Sequence, residues 1–160
     1  MPDNRPKVFI DSNVIIYAYS NSEKEKQQVA RKIVEENYTV ISTQVLQEIS
    51  NTLGRKYLLD FLSIKETLQE CIHSCDEVHT NQQQTIFKAC DIAQRYQFSF
   101  YDSLIISAAL ERNCDLLYSE DLQPNQVING VLLSDIQQVT YAVYWGRQYV
   151  GESCHQFFCE

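Results

Sequence analysis

No run of apolar residues in this chain reaches the roughly 18 positions a membrane-spanning helix needs, and no charged segment followed by an apolar stretch opens it. Neither a membrane span nor a secretory leader is therefore expected, and a cytoplasmic location is. Cysteine pairs at CxxC spacing are also missing. The six cysteines are Cys71, Cys75, Cys90, Cys114, Cys154 and Cys159. Cys71 and Cys75, four residues apart, and the group Cys154, His155 and Cys159 lack the pattern of a structural zinc site. Reduced thiols are expected, with Cys71, Cys90 and Cys114 acting as small buried hydrophobes. Histidine is scarce as well, and His73 and His79 have no sequence neighbours of metal-ligand type. Positive charge is in deficit: 13 Lys and Arg against 21 Asp and Glu give a net charge of −8. Affinity for a polyphosphate chain comes mainly from cationic contacts, so tight, general nucleic-acid binding is not expected. Weak, partner-assisted or structure-selective binding is. Repeats and low-complexity stretches are absent, and 160 residues with 44% apolar content suit one domain with one sizeable core.

What the chain does have is a set of acids at element ends. Lys7-Val8-Phe9-Ile10 is a short β-branched and aromatic run that leads into Asp11-Ser12-Asn13 and then into an apolar helical stretch from Val14 to Tyr19. Asp11 thus falls at the carboxyl end of a strand, where open α/β sheets bind ligands, although an aspartate there also suits a helix cap. Thr39-Val40-Ile41-Ser42 reads as a second strand, with Thr43 as N-cap of a helix whose stripe is Val45, Leu46, Ile49 and Leu53 and which stops at Gly54. Glu48 borders that stripe. From Phe98 to Leu110, Asp102 is a lone charge among aromatic, aliphatic and small residues, a costly placement unless the charge is paired or ligated. Strand-like Asp115-Leu116-Leu117-Tyr118 precedes Ser119-Glu120-Asp121, so an acid again lies just past a strand end. Spacing alone does not choose between Glu120 and Asp121.

The order strand-Asp-Ser-Asn, helix-borne Glu, Tyr-Asp-Ser before a small-residue helix, and Ser-Glu-Asp after a late strand resembles the PIN-domain family, in particular the toxin ribonucleases of prokaryotic toxin–antitoxin pairs. The resemblance covers about residues 7–136. It implies a PIN-like α/β/α sandwich whose central, mostly parallel sheet is flanked by helices. It also implies that Asp11, Glu48, Asp102 and Asp121 form a catalytic acidic pocket for Mg²⁺ or Mn²⁺, supported by Ser12, Asn13 and Ser119. The implied activity is ribonuclease cleavage of an RNA substrate, with an antitoxin protein as partner and a homodimer as the assembly.

The chemistry agrees independently. Mg²⁺ and Mn²⁺ are hard cations that take carboxylate oxygens and keep several waters, and four acids without a well-placed His fit them. Phosphodiester hydrolysis is the reaction such a site suits. Converging carboxylates should repel one another and raise each other's pKa in the absence of metal. Arg55 and Lys56 offer weak substrate contacts, and Lys7, Arg95 and Arg112 further local cations. Two other readings remain: a PIN-like module that only binds RNA or protein, and a haloacid-dehalogenase-type phosphatase. The latter also opens with a strand and an Asp but wants a second Asp two residues later, where this chain has Asn13.

Elsewhere, helices are predicted near 22–37, with Val29, Ala30, Ile33 and Val34 inward, and near 63–74 and 81–96. Pro124, Asn129 and Gly130 mark loops, and Gly130 to Leu133 a last strand. The 22–37 helix and its neighbours are the expected dimer surface. Residues 1–136 form the nuclease-like domain. Residues 137–160, with Tyr141, Tyr144, Trp145, Tyr149, Phe157 and Phe158, form an aromatic C-terminal extension of uncertain role, for which docking is the preferred reading because exposed aromatics invite association.

Overall fold

The computed structural model describes residues 4–137, so the 138–160 part of the extension lies outside the described residues. Six strands and six helices follow one another: β1 (Lys7–Ile10), α1 (Ser12–Tyr19), α2 (Lys24–Glu36), β2 (Tyr38–Ser42), α3 (Thr43–Arg55), α4 (Phe61–Ser74), β3 (Glu77–His79), α5 (Gln83–Tyr96), α6 (Phe100–Glu111), β4 (Leu116–Tyr118), β5 (Val127–Ile128) and β6 (Val131–Ser134). One sheet results, in the order β3-β2-β1-β4-β6-β5. All its pairings are parallel except β5 with β6. Helices flank it, as expected.

The strands read as apolar runs because both faces of a parallel sheet are covered. Val8, Phe9, Ile10, Val40, Ile41, Leu117 and Leu133 are all fully buried. Helix α6 has the longest buried run of the helices. Ser103 to Ala109 is buried without a break, and its small residues let it lie close to the sheet. The antiparallel edge follows from Asn129 and Gly130, whose positive φ angles of 47° and 98° fit the two-residue hairpin turn between β5 and β6.

From β1 the chain moves to β2 and β3 on one side, then returns to β4 on the other. The order therefore reverses between β1 and β4, and a crevice opens at their carboxyl ends. Asp11 follows β1, and Ser119 to Asp121 follow β4.

Several local expectations change. Strands β3 and β5, three and two residues long, carry too little pattern to be seen in the sequence. The N-cap of α3 is Ser42, whose Oγ accepts from the Val45 N–H, and Thr43 is the first helical residue. Cys71 and Cys114 are buried, Cys75 is half-buried and Cys90 is exposed; all four are free thiols. Cys90 is therefore no core hydrophobe: it points outward on α5, whose inward face carries Thr85, Ala89 and Ile92. Burial pushes the Cys75 and Cys114 thiols up to about 12, which suits inert packing rather than metal ligation. Helix α2 turns Val29, Ala30 and Ile33 into the core and contributes none of the exposed large apolar residues among the described residues. The densest group of those is Tyr57, Leu58, Leu59, Phe61 and Leu62, from the end of α3 into α4. Among the described residues, no helix is long and apolar enough to cross a membrane.

Candidate active site

Asp11 is the anchor of the crevice and is 4% exposed. It is the N-cap of α1, taking the Ser12 N–H on Oδ1 at 2.6 Å, and its backbone N–H donates to the Tyr118 carbonyl of β4 at 3.0 Å. Capping and site membership are thus compatible in one residue. Its second oxygen, Oδ2, accepts from the buried Ser119 hydroxyl at 2.7 Å. The Ser12 hydroxyl lies 3.3 Å from Asp11 Oδ1 and donates at 2.6 Å to Glu48 Oε2. One serine side chain therefore joins the acid after β1 to the acid on α3.

Asn13, one residue on, reaches to the loop after β4. Its Nδ2 donates to Asp121 Oδ2 at 3.1 Å, its Oδ1 accepts from the Glu120 N–H at 3.4 Å, and the Asp121 N–H is 3.1 Å from Ser119 Oγ. Glu120 faces elsewhere. Lys26 donates to its Oε1 at 2.7 Å, Gln137 to the same oxygen at 2.8 Å and the Tyr17 hydroxyl to Oε2. Burial alone would raise the pKa of Glu120, yet the bonds from Lys26, Tyr17 and Gln137 hold it below its ordinary value. Asp121, rather than Glu120, adjoins Asp11 through Ser119.

Asp102 occupies the first turn of α6. Its N–H donates to Ser99 Oγ at 3.1 Å, and the Ser99 hydroxyl donates to its Oδ2 at 2.7 Å, a reciprocal cap at a helix N-terminus that favours negative charge. Asp102 is half-buried at an exposed helix end, so the enclosed, costly charge expected from its apolar neighbours in sequence is not found; burial in α6 begins at Ser103. The start of α6 is tied to the crevice through Gln44, a residue the sequence reading passed over. Its Nε2 donates to Glu48 Oε1 at 2.7 Å and to the Tyr101 carbonyl at 3.2 Å. The signal was available, since Gln44 lies one helical turn before Glu48, on the same face.

Electrostatics pick out the same group. Burial first, and then the charges of Glu48 and Asp121, push the Asp11 carboxyl up to about 6 against the bonds from Ser119 and Ser12 that draw it down. Like charges in mutual reach raise a carboxylate in this way. The donor set, all hard oxygens with repulsion to offset, suits a divalent cation, and Gln44 Oε1 is a buried acceptor without a partner among the described residues. Asp11, Glu48 and Asp121, whose charges act on one another, could hold one, while Asp102 approaches them only through the start of α6. Among the described residues, no three His, Cys, Asp or Glu side chains already close round a common point. The Ser12 hydroxyl stands between Asp11 and Glu48, the Ser119 hydroxyl between Asp11 and the Asp121 N–H, and Asp102 turns to Ser99.

The cations are placed differently from a basic rim. Lys7 opens β1, at the edge opposite Asp11, and pairs with Glu77 at 2.9 Å; Arg112, the C-cap of α6, pairs with the same glutamate. Arg95 lies over the Tyr96 ring. Arg55 and Lys56 are exposed at the far end of α3, roughly 10 Å along the helix from Glu48 at 1.5 Å per residue.

The fold and this crevice define a class, and the chain belongs to the PIN-domain family: the model described as PIN domain matches residues 8–128. No curated protein sequence matches it. Solved structures share the fold. VapBC2 of Rickettsia felis, bound to a DNA fragment from its promoter, aligns with a TM-score of 0.60 at 16% identity over 81% of this chain and 98% of that one. VapC20 of Mycobacterium tuberculosis, a sarcin–ricin-loop-cleaving toxin, aligns at 0.57 and 13% identity over 69% and 86%. A toxin–antitoxin complex from Klebsiella pneumoniae aligns at 0.59 and 16% identity over 78% and 95%.

Proposed function

We propose that this protein is a metal-dependent endoribonuclease that hydrolyses RNA phosphodiesters as the toxin of a toxin–antitoxin pair. The observation that carries the reading is the hydrogen-bonded chain Glu48–Ser12–Asp11–Ser119–Asp121 across the reversal point of a PIN-family sheet. Membership of the family and the shared fold with toxin structures support it.

Asp11, Glu48, Asp102 and Asp121 would hold Mg²⁺ or Mn²⁺. When bound, such an ion lowers the pKa of a water, orients it and offsets charge on the phosphoryl oxygens. The chain's own part is positional. Ser12 and Ser119 fix the carboxylate oxygens of Asp11 and Glu48, Asn13 fixes Asp121, and Gln44 holds Glu48 against the start of α6. Each group is thereby oriented before substrate arrives, which lowers the cost of reaching a reactive geometry. Arg55 and Lys56 would add weak backbone contacts to longer RNA.

An antitoxin of apolar character would suit the groove of about 400 Å³ beside Ile16, Tyr19, Ile49, Leu53, Tyr57 and Leu59. A second copy of this chain would cover the exposed residues Leu58, Phe61 and Leu62. The aromatic extension would dock on the domain or on such a partner, and the protein would work in the cytoplasm.

The test is cleavage of RNA with Mn²⁺ and with chelator, by wild type and by Glu48→Gln. Metal-dependent cleavage lost in the variant is the expected result. RNA or protein binding without any cleavage would support the inactive-module reading. Hydrolysis of a small phosphomonoester would revive the phosphatase reading, against which the Asn13 amide already stands engaged with Asp121.

A further inference from the structure

Next to the acidic crevice, two aromatic rings face solvent where a charged chain would be expected to present cations. Phe100 and Tyr101, the first two residues of α6, are 40% and 65% exposed. Their ring centroids are 5.5 Å apart with planes at 70°. They are not at the end of a loose segment. Ser99 caps the helix they begin, and a single side-chain nitrogen of Gln44 joins the Tyr101 carbonyl to the Glu48 carboxylate. The backbone that carries the rings is thus held at the rim, its Tyr101 carbonyl one amide group away from a site acid.

The charge distribution says what such rings are for. The chain carries a net charge of −8. Lys7, Lys26, Lys88 and Arg112 are all engaged by carboxylates. Phosphate contacts alone give such a surface little hold on RNA. Base stacking on an aromatic face is indifferent to protein charge, needs an unpaired base and tolerates any sequence.

We propose that Phe100 and Tyr101 form a stacking platform for an unpaired base of single-stranded RNA, placing the adjoining phosphate at the Asp11–Glu48 crevice. This rests on the nuclease reading for its purpose, but the platform itself is a binding property measurable without cleavage. Tyr101, the more exposed ring, carries the base, and Phe100 braces it edge-on. Their position selects single-stranded or looped RNA over duplex, whose bases are already stacked.

The test uses a short single-stranded RNA with one 2-aminopurine, and the same sequence as a duplex, titrated with the Glu48→Gln protein in chelator so that nothing is cut. Single-stranded RNA should bind with quenching of the 2-aminopurine. Tyr101→Ala should weaken binding about tenfold and abolish the quenching, Tyr101→Trp should restore both, and duplex binding should be unchanged throughout. The effect should persist at high salt, where phosphate contacts are screened. In the Glu48-intact enzyme with Mn²⁺, Tyr101→Ala should raise KM with little change in kcat. Unchanged single-strand binding in the Phe100→Ala/Tyr101→Ala variant, or no measurable binding by wild type, overturns the proposal. So does a double variant that binds RNA normally but alters the oligomeric state, which would make the rings a protein contact. Ring-dependent binding with no cleavage by wild type would sink the nuclease reading and leave the platform standing.

Discussion

The Ser12 hydroxyl donates to Glu48 Oε2 at 2.6 Å across 36 positions of sequence, joining the residue after Asp11 to a carboxylate on a different helix. A charge-assisted bond of this kind is shorter and stronger than a neutral one. Ser12→Ala should therefore cost about 1–2 kcal/mol of stability, read as a lower urea midpoint with unchanged slope. It should also lower metal-dependent cleavage, because Glu48 loses the donor that orients it. Full activity would show that this orientation does not matter.

The pKa of Asp11, raised from 3.8 to about 6, gives a pH dependence of defined sign. The folded protein binds the Asp11 proton more tightly than the unfolded chain does. The stabilisation is complete below about pH 4 and is lost as pH rises through about 6. Other carboxylates with lowered values, such as Asp76 and Glu111, act in the opposite direction, so the comparison must be with Asp11→Asn. That variant keeps a capping side chain. Its metal-free stability relative to wild type should improve by roughly 2–3 kcal/mol between pH 4 and pH 7. A difference independent of pH would remove Asp11 from the repelling group.

Metal should act on the same group. A divalent ion that binds only the folded state stabilises it by mass action, about 2.7 kcal/mol at a hundredfold excess over its dissociation constant. Thermal shifts with millimolar Mn²⁺ should be positive for wild type and much smaller for Asp11→Asn and Glu48→Gln. Asp102→Asn separates two roles. If Asp102 only completes the Ser99 cap, the metal response survives; if it also ligates, the response shrinks and cleavage is lost.

Glu120 and Asp121 are neighbours with different work. Glu120→Gln breaks the Lys26–Glu120 pair and should cost about 1 kcal/mol of stability while cleavage continues. Asp121→Asn should leave the melt near wild type and abolish cleavage. The reverse pattern would exchange the two residues in the site.

Phe61→Asp with Leu62→Asp places charge on the most exposed apolar stretch of α4. Light scattering should show the wild type as a dimer and this variant as a monomer with its melting temperature retained. A monomeric wild type at tens of micromolar would argue against the dimer.

The sequence determined what depends on near neighbours. Lys7 to Ile10, Thr39 to Ser42 and Val131 to Leu133 are legible as strands because β-branched runs suit a sheet covered on both faces; helices α2 to α5 follow from apolar stripes at 3.6-residue spacing, and α1 and α6 from continuous apolar runs. The acids at element ends were legible for the same reason: Asp11 and Asp121 sit where a strand pattern stops. Tertiary structure decided what depends on distant partners. Strand β3 exists because β2 offers it an edge, and β5 because the Asn129-Gly130 turn folds it onto β6. Glu120 is drawn to Lys26 and away from its neighbour Asp121 because α2 packs beside α1, which no local pattern encodes. Lys7 and Arg112 meet Glu77 at the opposite edge of the sheet, so cations that could have lined a rim do not. Asp102, a costly isolated charge in the sequence, lies half-exposed at the start of α6 with Ser99 as hydrogen-bond partner three residues away, while its relation to Glu48 runs through Gln44 and the Tyr101 carbonyl. Charges and hydrogen bonds are chosen by geometry across the fold, whereas strand and helix are chosen by the residues next door.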